Sequence, residues 1–409
     1  SETGGVTTSI VSVSYNADTT EYDISYLGAN SGVISDDCSK VAFVTDNDFT
    51  LDDLNFGPDV YVRDLASATT ALTWASAYAT NGSTGGGYLP AISSDGSSVV
   101  VSTESTDLVS DSGTVGGLVL RTASTGSYLT RTPAGVASTG TLADSERPAA
   151  MTPDGKCVAF KADRGYDLLT GSTGPAQGIF LWDNRTGTPV ISLVSKDSGG
   201  TAASSASNPR ISDDCRFVAY ESNDEYLSSK DTNGKTDVFL YDTSVATTDL
   251  VSSLANGNSA DGNSSVAALD WNSTTQSGVV LITSNASSIG GASGAGSLNL
   301  FSVPFSIVVT AASAPTITTV TAGVKKLTVA FTAPSSNGGA AITNYEYSTN
   351  NGTTWKAFNP ADKKTPLVIT KVSNKNKKLV KNTTYQVKIR AVNSAGSGAA
   401  STAKSIKAK

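Results

Sequence analysis

The stretch "DTNGKTD" (Asp231–Asp237) sets oxygen-bearing side chains at alternate positions around a glycine, a spacing with which a short loop wraps Ca2+. Asp231, Asn233 and Asp237 are therefore candidate metal ligands, with Ca2+ as the candidate cofactor. The bidentate Glu of a complete calcium loop is missing, so a hydrogen-bonded Asx turn is the competing reading. The chain contains no His, which excludes Ser-His-Asp and Cys-His catalytic sets and imidazole metal ligation. Paired carboxylates could still cleave glycosides. However, Asp37, Asp95, Asp154 and Asp214 recur at one turn position, and Asp59, Asp64, Asp237 and Asp242 at strand ends. An aspartate repeated in turns ordinarily accepts backbone hydrogen bonds. No catalytic residue is expected, and the chain is read as not an enzyme.

Two further sets of residues carry chemistry. The three cysteines allow at most one internal bridge. Cys38 and Cys215 occupy equivalent turns of a repeat, and Cys157 opens a strand in the copy before Cys215; a Cys157–Cys215 bridge and three buried thiols both stay open. The run "KVSNKNKKLVKN" (Lys371–Asn382) has no interleaved aromatics, so nucleic-acid binding is not expected. Its Lys375, Lys377, Lys378 and Lys381 are read as a docking face for something acidic. The charge balance locates that partner. Residues 1–313 hold 14 Lys and Arg against 34 Asp and Glu, a balance of −20, whereas residues 314–409 hold 15 against 2, a balance of +13. A switch of this size marks a domain boundary.

These residues are positioned by a repeat. Five units align on Val41, Val99, Val158, Val218 and Val280, at intervals of 58, 59, 60 and 62 residues. Each of the first four carries an apolar lead-in, an Asp-containing tight turn, a strand such as "VAFVT" or "VAYES", a polar loop, a second strand such as "DVFLYD", and a last strand. Asp-Gly between short β-branched runs signals a hairpin, because Gly accepts the positive φ the turn requires. The inner strands are apolar at consecutive positions, which predicts cover on both faces. Four strands every 60 residues or so, with buried middle strands, predict the blades of a five-bladed β-propeller over residues 1–303. The fifth unit lacks the Asp turn. The N-terminal "TTSIVSVS" (residues 7–14) matches a last strand and is expected to close that blade, with "FSIVVT" (Phe305–Thr310) as the competing outer strand.

The phrases "ISDDCRFVAY" and "DTNGKTDVFLYD" resemble the TolB-type propeller repeats of secreted bacterial proteins, over about residues 7–303. The resemblance implies scaffold or binding roles more often than catalysis. After a short linker, 304–313, residues 314–409 alternate as an antiparallel sandwich does, in "KLTVAFT", "ITNYEYS" and "TYQVKIRAVN". Leu379, Thr383 and Tyr385 followed by "QVKIRAVNSAG" resemble a fibronectin type III domain with its tyrosine corner.

No apolar run reaches the ~18 residues of a membrane-spanning helix. Ser1 reads as a mature end left by signal-peptide cleavage, and the Ser-, Thr- and Gly-rich composition is that of secreted bacterial surface proteins, so an extracellular or cell-surface site is expected. The expected function is a self-assembling, filament- or sheath-like structural subunit, a homopolymer whose basic sandwich meets the acidic propeller of the next copy. A monomeric adhesin gripping a cell-wall or surface glycan or a protein is the alternative, and a propeller glycoside hydrolase the third reading.

Overall fold

The computed structural model describes residues 13–16, 21–24, 29–45, 58–65, 72–73, 87–103, 117–122, 125–130, 149–162, 168–169, 177–289, 297–375 and 377–409. These form antiparallel sheets and, among the described residues, a single 3-10 turn at Glu225–Leu227. The fold is all-β. The chain divides into two compact units, Ser1–Ser273 with Gly278–Phe305, and Thr274–Ser277 with Ser306–Lys409.

In the first unit, β1 (Val13–Asn16) and β2 (Glu21–Ile24) form a two-stranded hairpin. Five sheets follow, each in chain order. The first holds β3 (Ala29–Ile34), β4 (Lys40–Thr45), β5 (Asp59–Asp64) and β6 (Leu72–Thr73). The second holds β7 (Gly87–Ile92), β8 (Ser98–Thr103), β9 (Gly117–Thr122) and β10 (Gly126–Tyr128). In the third are β11 (Ala149–Met151), β12 (Cys157–Ala162), β13 (Gly178–Asp183) and β14 (Val190–Leu193). The fourth comprises β15 (Ser207–Ile211), β16 (Phe217–Ser222), β17 (Asp237–Asp242) and β18 (Thr247–Leu250). The fifth has three strands among the described residues, β19 (Ser264–Asn272), β20 (Ser277–Ser284) and β21 (Asn299–Ser306).

The sheets stack because their middle strands are apolar on both faces. Val99 and Val101 pack with Ala42, Val44, Val60 and Val62 of the first sheet, whereas the intervening Val100 packs with Val158, Phe160 and Phe180 of the third. Ala159, Ile179 and Leu181 turn the other way, onto Val218, Tyr220 and Phe239 of the fourth. A strand's period of two thus gives alternate side chains to opposite neighbours. Each fully buried Phe or Leu of this set contributes about 1.5–3 kcal/mol relative to exposure. A disulfide, Cys157–Cys215, joins the third and fourth sheets, which settles the cysteine alternatives in favour of the bridge; Cys38 is free and exposed.

The β-turn between the first two strands is the same in four sheets. Its left-handed residue is Gly96 (φ 64°), Gly155 (φ 67°), Cys38 (φ 55°) or Cys215 (φ 64°). Glycine takes this conformation freely, and a side chain there is strained by about 1–2 kcal/mol. The fifth sheet departs from the pattern, since β20 and β21 alternate in burial residue by residue. Of the expected closing strand, residues 7–12 lie outside the described residues, and Val13 and Ser14 pair locally with Ile24 and Asp23. The competing "FSIVVT" contributes only Phe305 and Ser306, as the end of β21.

In the second unit, β22 (Thr316–Gly323), β23 (Lys326–Thr332) and β26 (Leu367–Ile369) form one sheet. A second sheet holds β24 (Asn344–Ser348), β25 (Lys356–Ala357), β27 (Thr384–Asn393), β28 (Gly396–Ser397) and β29 (Lys404–Lys407). Both contribute to one core, in which Leu327, Val329, Leu367 and Ile369 meet Tyr345, Tyr347, Val387 and Ile389. The Tyr385 hydroxyl accepts the Val380 amide at 2.9 Å, the contact of a tyrosine corner.

Two variants test the roles of the cysteines. The bridge spans 58 residues, and a loop of that size carries about 4 kcal/mol in the chain-entropy estimate. Cys157→Ser with Cys215→Ser should therefore lower the denaturation midpoint, and an unchanged midpoint would remove the bridge from the account. Cys38→Gly should leave the fold intact and stabilise it by up to about 1 kcal/mol in chemical denaturation.

Candidate functional site

The first candidate lies in the fourth sheet, beneath the loop that leads from the Glu225–Leu227 turn into β17. The loop is pinned from outside by backbone bonds, Ser259 N donating to the Lys230 carbonyl at 2.9 Å and Thr236 N to Asn263 Oδ1 at 3.0 Å. Gly234 supplies the positive φ of 62° that folds the loop back. Asp231 and Asp237 are brought together below it, 3% and 0% exposed. Asp237 accepts from the Ser252 hydroxyl and from Asn233 Nδ2 at 2.8 Å. Asn233 also donates to the Ala260 carbonyl, and its own oxygen accepts the Lys235 amide at 2.6 Å. Asn233 therefore forms the Asx turn while directing its nitrogen at Asp237. Neither carboxylate oxygen of Asp231 has a hydrogen-bond partner.

Burial pushes Asp237 up to about 6, with the Asp231 charge adding to the shift. Burial likewise raises Asp231, helped by Glu225. The second and third sheets lack this chemistry. Thr130 and Ser195 accept the amides of Leu118 and Ile179 as Ser252 accepts that of Val238, but Gly117 and Gly178 stand where the fourth sheet has Asp237. Asp59 holds that place in the first sheet, buried at 4%, and the preceding loop, residues 46–57, lies outside the described residues.

The turn aspartates have a different task. Asp37, Asp95, Asp154 and Asp214 accept from Ser35, Ser93, Thr152 and Ser212 at 2.6–2.9 Å. Each also takes the amide two residues on, at 2.9–3.1 Å. Structural hydrogen bonding, as expected, accounts for them. Since the turn recurs, their neighbours gather at one end of the unit: burial pushes the Asp213 carboxyl up, and Asp36, Asp270 and Asp214 reinforce it.

A cavity of about 930 Å3 runs between the first strands of all five sheets, β3, β7, β11, β15 and β19. Many of its lining residues are small or apolar, yet polar atoms make up more of its surface than apolar ones. Its polar side lies between the fourth and fifth sheets, where Glu221 accepts from Asn208 Nδ2 and Ser265 Oγ, both at 2.5 Å, and from the Val266 amide at 2.9 Å. Arg210 donates to Asn208 Oδ1 at 2.7 Å. Sequence reasoning missed this network, because Asn208, Arg210 and Glu221 follow no motif and only the pairing of β15 with β16 brings them together.

In the second unit Lys375, Lys377, Lys378 and Lys381 are all exposed. Lys378 pairs with Lys371 across a local bridge, so the four lie along one protruding loop and the strand-like segment after it. Lys381 also borders a groove of about 640 Å3 shared with Lys325, Lys407 and Lys409. Residues 306–409 contain only two carboxylates, Glu346 and Asp362, and Glu346 is bound to Arg390 at 2.6 Å.

No protein-family model matches the sequence, and no curated protein matches it. Solved structures similar to it include a TolB from Agrobacterium tumefaciens, at 12% identity over 70% of this chain and 87% of that one, TM-score 0.33. The β-propeller domain of the trilobed protease from Pyrococcus furiosus is similar at 10% identity over 75% and 79%, TM-score 0.36. A human fibronectin type III domain, from fibronectin type III domain containing protein 3, is similar at 19% identity over 25% and 92%, TM-score 0.20. Two other peptidases are also similar. These findings correct the expectation that the chain is not an enzyme, and that assignment is withdrawn. At such identities and scores the likeness assigns no activity to this chain either.

The turn chemistry has a pH signature. Hydrogen bonds from Ser97 and Ser93 lower Asp95 from 3.8 to about 2. A carboxylate depressed in the folded state stabilises fully above its unfolded value and loses that contribution as pH falls through the folded one. The stability difference between the wild type and Asp95→Asn should therefore be present at neutral pH and shrink between about pH 4 and pH 2. A difference constant over that range in pH-dependent melts would refute the assignment.

Proposed function

We propose that the chain is an extracellular, self-assembling surface subunit: a five-bladed β-propeller followed by a fibronectin type III module, joined head to tail between copies. The observation that carries the reading is the charge partition, −20 in residues 1–313 against +13 in residues 314–409. The acidic end at Asp36, Asp213, Asp214 and Asp270 fits the lysine face of Lys375, Lys377, Lys378 and Lys381 on the next copy. With two carboxylates among residues 306–409, the second unit cannot neutralise its own lysines. Such a contact uses a different patch on each partner, and copies joined this way extend into a filament unless rotation closes them into a ring.

The cavity lined by the first strand of each of five sheets supports five blades about one axis. The Tyr385–Val380 bond supports the fibronectin type III assignment. The Cys157–Cys215 bridge supports an oxidising, extracellular location. A second reading, a module that binds a small polar or glycan ligand, is favoured by the cavity itself, whose Arg210 and Glu221 could orient such a ligand.

Exposed charges are screened over about 8–10 Å at physiological salt, so sedimentation at low ionic strength should show assemblies that weaken as salt rises. Replacing Lys375, Lys377, Lys378 and Lys381 with Glu should slow assembly by setting like charges together. A chain that stays monomeric at high concentration and low salt, unaffected by those substitutions, would defeat the assembly reading and leave the binding module.

A further inference from the structure

We infer that Asp231 and Asp237 bind a divalent cation of the Ca2+ type beneath the loop of the fourth sheet. The Asp231 carboxylate carries the inference. It is only 3% exposed, faces Asp237 with the Asn233 amide and Ser259 nearby, and has two oxygens that make no hydrogen bond of normal geometry. A buried carboxylate without a partner is strongly unfavourable, and such groups are normally paired or bound to a metal. Among the described residues neither Asp231 nor Asp237 has a Lys or Arg ion pair. The nearest basic side chain in sequence, Lys230, lies over Gly257 instead.

The donors available are all oxygens. Besides the two aspartates they are the Ala260 carbonyl, which now accepts from Asn233, and the Ser259 hydroxyl, which accepts the Thr232 amide. Such a set suits a hard cation, and its mix of flexible carboxylates and carbonyls suits Ca2+ better than Mg2+, which demands a small octahedral shell. The alternative chemistry is a proton shared between the two aspartates, which would leave Asp231 and Asp237 indifferent to metal.

The test uses the full chain, stripped with a chelator, in thermal melts and calorimetric titration against Ca2+ and, separately, Mg2+. Ca2+ at about 1 mM, the upper range for extracellular calcium modules, should raise the melting temperature by several degrees, with one binding event per chain. Asp231→Asn should abolish both effects while remaining folded in chelator, since it keeps the shape and removes the uncompensated charge. Asp237→Asn should behave alike. Wild-type protein that shows neither a shift nor binding heat with Ca2+ overturns the inference in favour of the shared proton. So does a response to Mg2+ with none to Ca2+, or Ca2+ binding that survives in both variants.

Discussion

Every middle strand of the first four sheets is apolar on both of its faces, and no single sheet can bury two faces by itself. That constraint governs the first unit. Val100 turns its back on the first sheet and packs against the third, while Val99 and Val101 do the reverse. Each sheet therefore depends on two neighbours for the burial that stabilises it, and a substitution in one strand is felt at only one of two interfaces. The turns follow from the same constraint. Stacked sheets bring equivalent turns close together, so that the Asp37 amide donates to the Ser94 carbonyl and the Ser94 amide to that of Pro153. Repetition in the sequence thus brings the turns of the first three sheets into backbone contact at one end of the unit.

Much of this was legible because it has a period. The strand-turn-strand phrase, the left-handed turn residue and the doubly apolar strands all announce themselves in four successive copies, and the alternation over residues 314–409 did the same for the second unit. The Tyr385 hydroxyl met the backbone where the spacing from Leu379 implied. The metal candidates were legible in part. Asp231 and Asp237 do converge, but sequence spacing could not reveal that Asn233 spends its oxygen on the Lys235 amide, nor that Glu225 approaches from the preceding turn. Long-range contacts were the blind spot. The Cys157–Cys215 bridge was one of two open alternatives that only the structure decides, and the Glu221 network, made by the pairing of β15 with β16 and by Ser265 and Val266 of the fifth sheet, follows no local pattern. The inference from missing His to missing activity failed for another reason: absence of one catalytic set does not exclude chemistry on a fold.

Aspartates appear in this chain in two states of solvation, and the difference explains their different chemistry. At the turns, a hydroxyl two residues before and an amide two residues after occupy the carboxylate, and these bonds hold Asp37, Asp95 and Asp154 down. Asp231 and Asp237 sit at the opposite end of the fourth sheet's hairpin, under a loop pinned from above, and burial pushes both up. The same residue type serves as a cap in one place and as a buried acidic pair in the other, in which side chains satisfy Asp237 and Asp231 is left without a hydrogen bond of normal geometry.

The fifth sheet shows what happens when the constraint relaxes. β20 buries alternate residues and β21 alternates half-buried with exposed ones, so each presents one apolar face, and the chain attaches them to the fourth sheet by other means. Phe217 meets Trp271 and Phe305 at 4.6 and 5.0 Å, and Trp271 donates to Asp214 at 3.0 Å. Glu221 and Asn208 reach the backbone of β19 at Val266. Where the other interfaces are sealed by packing, this one is sealed by directional bonds, which fix register as well as proximity. Among the described residues β21 pairs on one side only, and Pro304 within it has no amide proton to offer a further strand, as suits an edge. β21 is thus the last strand of its sheet among the described residues, while β19, at the other end of the strand order, carries the hydrogen bonds that hold the sheet to the fourth.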